Sequence, residues 1–164
     1  MRDRSPEPGD IIRRHAAFIE SDVVIALSMR DSLWRSQVAM GRGCRISPAR
    51  GRVHVLLGRA QSASFIAALE QSREVAAVFA RPVDHHAIQL KGRDAVVTAP
   101  ARGDPKRAAR YRELIAAHFV PLGCPREHTC TYPGPADEAL VLVSFPPAAA
   151  YDQTPGPHAG EALA

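Results

Sequence analysis

Aromatic residues are scarce in this chain: five Phe, three Tyr and one Trp, 5% of 164 residues. Few platforms remain for stacking nucleobases. A formal charge of +4, from 21 basic against 17 acidic side chains, is also a small surplus for a nucleic-acid groove and suits an anionic cofactor better. There are only three cysteines, an odd number without regular spacing, which argues against a secreted disulfide scaffold. No run reaches the roughly 18 apolar residues of a membrane span, and the opening MRDRSPEPGD lacks the apolar stretch of a signal peptide. The expected partners therefore exclude nucleic acid and membrane, and the expected compartment is the cytoplasm. What is present is ordinary for a globular protein: 46% hydrophobic and 23% charged residues, in a length that favours one domain over residues 1–164.

Residues 1–9 are polar and Pro-rich and read as a loose arm. Asp10 is placed to cap a helix carrying Ile11, Ile12, His15, Phe18 and Ile19 at helical spacing. Asp22 to Arg30 is an apolar, β-branched run, hence a buried strand. Gln37 to Ile46 reads as a second strand interrupted by glycines. Its Gly41-Arg42-Gly43 lacks the third glycine of a dinucleotide loop, so a bulge or a close backbone approach is the better reading. Ser47 to Gly51 forms a hairpin turn into RVHVLL. Ala60 to Arg73 reads as a short helix with Phe65, Ile66 and Leu69 on one face. EVAAVFA is a fourth strand and His86 to Ala99 a long fifth one. Asp104-Pro105 opens a third helix with Ala108, Tyr111, Leu114, Ile115 and His118. Pro121 to Pro135 reads as irregular, ALVLVSF as the last strand, and residues 151–164 as an extended tail. Strands joined mainly by sharp turns, with helices in the connections, predict a mainly β domain over residues 10–150: an antiparallel split β-barrel with flanking helices. A parallel α/β sheet is the competing arrangement.

From about Asp22 to Ala99, half the chain, the order of elements resembles the FMN-binding split barrel of the pyridoxamine 5′-phosphate oxidase-like proteins. The resemblance rests on VHVLLG, the Ser62-Ala63-Ser64 turn into a helix ending in SREVAAVF, the strand closing in QLKG, and the tail DQTPGPHAG. It implies FMN as cofactor and a homodimer with cofactor sites at the interface. Carried over by position, the phosphate turn is Arg59, Gln61, Ser62 and Ser64, preceded by Val55 and Leu56, while Gln89 and Lys91 stand where the family contacts the flavin ring. Arg42 and Arg45 are auxiliary bases on the preceding strand. The family's adjacent basic pair would fall at Ser64-Phe65, and the Trp and Arg that recognise pyridoxal substrates have no match. The implied activity is thus a flavin-dependent oxidoreduction, with a reduced nicotinamide or a small molecule as donor, other than pyridoxamine phosphate oxidation. The alternative is a non-enzymatic split-barrel module, stress-related or carrying another planar ligand.

The chemistry of the turn agrees with that assignment, because arginine and hydroxyl groups at a helix N-terminus suit a phosphate dianion. Gln89 and Lys91 are two apart on a strand and face the same side. Adjacent His85 and His86 point to opposite faces and make a poor metal pair. Cys124, His128 and Cys130 lack the C-x2-C pairing of a zinc site, so no metal is expected. The basic side of the third helix, with Lys106, Arg107, Arg110 and Arg112, reads as a solvated face.

Overall fold

The computed structural model describes residues 7–131, 134–136 and 138–163. The chain opens with α1 (Pro8–Ile19), whose Ile11, Ile12 and Ile19 are buried. Asp10 lies inside the first turn of α1, one turn later than a cap, and Glu7 holds the N-cap position. Strands β1 (Val24–Arg30) and β2 (Ser36–Met40) form a hairpin. Then come β3 (Cys44–Ser47), a single turn at Pro48–Arg50, β4 (Arg52–Gly58) and α2 (Ala63–Ser72). They are followed by β5 (Val75–Ala80), β6 (Ala87–Gly92), β7 (Val96–Thr98), α3 (Asp104–Phe119) and α4 (Arg126–Thr131). The chain closes with β8 (Leu140–Phe145), β9 (Pro147–Asp152) and β10 (Ala162–Leu163).

The strands make two sheets, ordered β10-β9-β6-β5-β1-β2 and β3-β4-β8-β7, with every pairing antiparallel. Alternation sends Ile25, Leu27, Ala77, Phe79, Ile88 and Leu90 from one sheet into a shared core. Val53, Val55, Leu57, Val141, Val143 and Phe145 enter it from the other. This is the split barrel with flanking helices, and the parallel alternative is excluded by the pairing.

Two expected strands are each divided between the sheets. Gln37 to Ile46 ends β2 at Met40 and restarts as β3 at Cys44, so Gly41-Arg42-Gly43 is the corner where the chain changes sheet. No side chain fits at Gly41: a Cβ there would stand 2.6 Å from the Cβ of Ile25. Likewise His86 to Ala99 is β6 and β7, with the change of sheet after Gly92, where the register with β9 shifts. Periodicity cannot reveal such breaks, because each half keeps its own alternation. The irregular stretch Pro121 to Pro135 contains α4. The tail turns back instead of extending: Gly160 N–H donates to the Asp152 carbonyl (2.7 Å), and β10 pairs with β9 of the same chain.

Candidate functional site

Three regions receive the residues singled out in the sequence. The first is the outer face of the six-stranded sheet. Cross-strand register sets Met40, Ala26, Val78, Gln89 and Tyr151 in one row and Val38, Ser28, Ala76, Lys91 and Ala149 in the next. Val38 and Lys91 are exposed and the other eight side chains are partly exposed, so both rows reach solvent. Gln89 and Lys91 do share this side, as their spacing requires. The Lys91 ammonium lies 4.7 Å from the Tyr151 ring centroid, a cation–π contact that positions the charge without neutralising it. A groove of about 1040 Å³ runs along the face, lined by Lys91, Tyr151, Ser28, Ala76, Trp34 and Gln71 among others. That is the upper end of the range for small-molecule sites, roughly 300–1,000 Å³. At its rim Trp34 is 74% exposed, with the Arg30 guanidinium 3.7 Å from its ring centroid.

The second region is the β4–α2 turn. Arg59 and Ser64 are exposed, whereas Ser62 is buried at the N-cap position with no side-chain cap bond. The backbone N–H groups of Ser64 and Phe65 have no acceptor among the described residues. Open donors at a helix N-terminus are what an oxyanion requires. Phe65, at the position of the family's basic pair, is buried in the core. Val55 and Leu56 are fully buried on opposite faces of β4 and offer a ligand no side-chain surface.

The third region lies beside the turn and is an ion-pair knot. Arg42 is 2% exposed. Its guanidinium donates to the Pro135 carbonyl (2.9 Å), to Gln61 Oε1 (3.2 Å) and to the carboxylate of Glu138, with which it forms a salt bridge. The other oxygen of that carboxylate, Oε1, accepts the Gln61 backbone N–H at 2.9 Å. Burial pulls the Arg42 guanidinium down from its ordinary value, and the Glu138 carboxylate opposes that fall. Gly58 packs closely on the pair, and Gly134 on Arg42 and Gln61, so that a Cβ at either position would displace these side chains. Arg45, the second auxiliary base, is committed elsewhere: its Nε donates to buried Asp104 at 3.1 Å.

Sequence reasoning therefore placed Gln89 and Lys91 together correctly but did not foresee Tyr151 or Glu138. Tyr151 is legible only through the β6–β9 register, and Glu138 sits 77 residues from the amide it binds. His86 bonds Thr154 (Nδ1 to Oγ1, 2.9 Å), while His85 is exposed at a positive φ of 59°. The side chain of Cys130 lies outside the described residues.

An antiparallel split barrel with one uncovered sheet face defines the class: it is the fold that the resemblance to the pyridoxamine 5′-phosphate oxidase-like proteins implied. Among solved structures the chain is similar to general stress protein 26 from Bacillus anthracis strain Sterne. The two share 13% identity and a TM-score of 0.51, over 87% of this chain and 92% of that one. It is similar also to HupZ of Group A Streptococcus, with 9% identity and a TM-score of 0.51 over 87% and 94% of the respective chains. At such identities the likeness shows the fold. No protein-family model and no curated protein matches the sequence. No helix among the described residues is long and apolar enough to cross a membrane.

Proposed function

We propose that this chain is an FMN-binding flavoprotein acting as a homodimer, and a flavin-dependent oxidoreductase other than pyridoxamine phosphate oxidase. The observation that carries the reading is the uncovered sheet face with its groove, on which Gln89 and Lys91 stand beside Tyr151. Packing that face against a second copy buries its apolar rows and encloses the groove between two chains. Gln89 then offers an amide to the edge of the flavin ring, and Lys91 a cation that favours the reduced, anionic ring. Arg59, the Ser64 hydroxyl and the open N–H groups of Ser64 and Phe65 would hold the phosphate. They do not line the groove of their own chain, so in this reading they come from the other protomer. When bound, FMN supplies a hydride acceptor for a reduced nicotinamide or a small organic donor. Unpaired thiols at Cys44 and Cys124 agree with a reducing, cytoplasmic setting.

The visible spectrum of the purified protein, followed by titration with FMN, tests the reading. Flavin absorption or saturable uptake supports it, and a colourless protein that takes up no FMN sinks it. A strict monomer in size-exclusion chromatography removes the shared site. Arg59→Ala with Ser64→Ala should weaken FMN binding, and an unchanged Kd refutes the phosphate assignment.

A second reading is favoured by buried Phe65 and by the Arg42–Glu138 pair, which together leave the turn poor in free cations. In it the barrel is a non-enzymatic module, stress-related or binding another planar ligand such as a haem or a deazaflavin. Uptake of one of these by a protein that refuses FMN distinguishes the two.

A further inference from the structure

The Arg42 knot has the composition of an oxyanion site, and its anion belongs to the chain itself. Two kinds of donor converge there, the buried Arg42 guanidinium and the Gln61 backbone N–H at the entrance to α2, with the positive charge of Arg112 near enough to act on Arg42 through space. Backbone N–H at a helix entrance together with a guanidinium is the combination that receives phosphate in other proteins. Here both donors go to one carboxylate, with one oxygen of Glu138 on Arg42 and the other on Gln61.

Two further observations show that the arrangement is not saturated. The Nε of Arg42 is buried and has no hydrogen-bond partner among the described residues. A cavity of about 260 Å³ also adjoins the pair, with Arg42, Arg112 and Glu138 on its wall against Ala108, Ala109 and Leu140. Arg112 donates to the Gly134 carbonyl (2.8 Å), so it is anchored there rather than swinging out to solvent. Gly58 packs on both the carboxylate and the guanidinium, and Gly134 on the guanidinium and the Gln61 amide.

We infer that Glu138 is a built-in anion: its carboxylate occupies donors of the β4–α2 turn that would otherwise receive the oxyanion of a phosphate-class ligand, so such a ligand binds fully only when Glu138 is displaced. The inference rests on the reading of this turn as a phosphate site, but it concerns Arg42, Gln61 and Glu138 and is independent of whether the ring of the ligand is a flavin. It accounts for a turn that has anion-binding donors without the family's basic pair. One arginine is retained, and it is held neutralised until the carboxylate leaves.

The test uses inorganic phosphate as probe, by calorimetry on the full chain. Glu138→Gln removes the internal negative charge and one of the two acceptor oxygens, which leaves the Arg42 guanidinium uncompensated, so it should lower the phosphate Kd by roughly 10- to 100-fold relative to the unmodified protein. Glu138→Ala should do so at least as strongly. Arg42→Met combined with Glu138→Gln should return the Kd to that of the unmodified protein. Equal phosphate affinity in the folded Glu138→Gln and unmodified proteins overturns the inference, as does tight binding that survives loss of Arg42. The unmodified protein gives a reading that needs no variant. Its Gln61 amide NMR signal should stay fixed at millimolar phosphate, and a saturable shift there shows that Glu138 does not hold the site. Riboflavin and FMN run in parallel separate the two claims: a Glu138→Gln protein that gains phosphate but not FMN refutes the flavin reading alone.

Discussion

His54 sits in the middle of β4, opposite Arg45 on β3 and Ser144 on β8, and is 8% exposed. Neither ring nitrogen has a hydrogen-bond partner among the described residues. Burial first, then the charges of Arg45 and Arg52 with Arg50 beyond them, push its pKa down to about 4, against a smaller opposing pull from Asp104. An unfolded chain takes up this proton near the ordinary value of 6.5. Between those two values the unfolded state binds more protons than the folded one, so the stability owed to neutral His54 is complete above pH 6.5 and is lost as pH falls toward 4. A difference of 6.5 − 4 = 2.5 units corresponds to about 3 kcal/mol, a large share of a typical domain's stability. Leucine at this position is close in volume, cannot titrate and removes two unsatisfied buried atoms. His54→Leu should therefore gain about 1 kcal/mol or more at neutral pH. Urea unfolding of both proteins across the window from pH 7 to about 4 measures the effect, with the unmodified protein losing about 3 kcal/mol more than the variant. Parallel loss of stability in the two proteins would falsify the assignment of this titration to His54.

The sheet-changing corner gives a second prediction. Gly41→Ala forces a Cβ against Ile25 and should cost about 1–3 kcal/mol, read as a lower urea midpoint at unchanged m. A loss below about 0.5 kcal/mol would show that the corner relaxes freely. The thiols should differ sharply in reactivity. Cys44 is buried, donates to the Ile19 carbonyl (3.0 Å) and has its pKa pushed up to about 12 by burial, so it should resist alkylation in the native state, while half-buried Cys124 reacts. Peptide mapping that finds both labelled at one rate contradicts this. On the outer sheet face, Lys91→Met should weaken FMN binding by about tenfold and make the bound flavin harder to reduce. Retention of both affinity and potential places Lys91 outside the site.

Much of the fold could be read from short stretches. The facing alternation of Val53, Val55 and Leu57, the Pro48–Arg50 turn closed by Gly51 at a positive φ of 58°, and the apolar stripe of α2 are all local patterns. The reading failed at α4, at the returning tail and, most instructively, at Gln37 to Ile46 and His86 to Ala99. In both, a strand leaves one sheet and joins the other without losing its extended character. Gly41 and Gly92 were the visible marks of those corners, but a glycine does not say which of its two meanings applies. The candidate site was legible to the extent that it depended on alternation, as with Gln89 and Lys91. It was illegible where it depended on distant partners. Arg42 read as a free base because nothing near it in sequence is acidic, and Arg45 read likewise until Asp104 was brought beside it, 59 residues on.

The sequence by itself determined most of the helices and core strands and the side of each strand on which a residue falls, because these follow from nearest-neighbour backbone chemistry and a period of two. It also bounded the function, since a small charge surplus and few aromatics already spoke against a nucleic-acid surface. Only the tertiary structure decided which charges remain available. Glu138 cancels Arg42 and Asp104 engages Arg45, whereas Lys91 rests on Tyr151 and keeps its charge at an open face. Such pairings depend on distance in space, and the chain sets that distance only when the two sheets close on their common core.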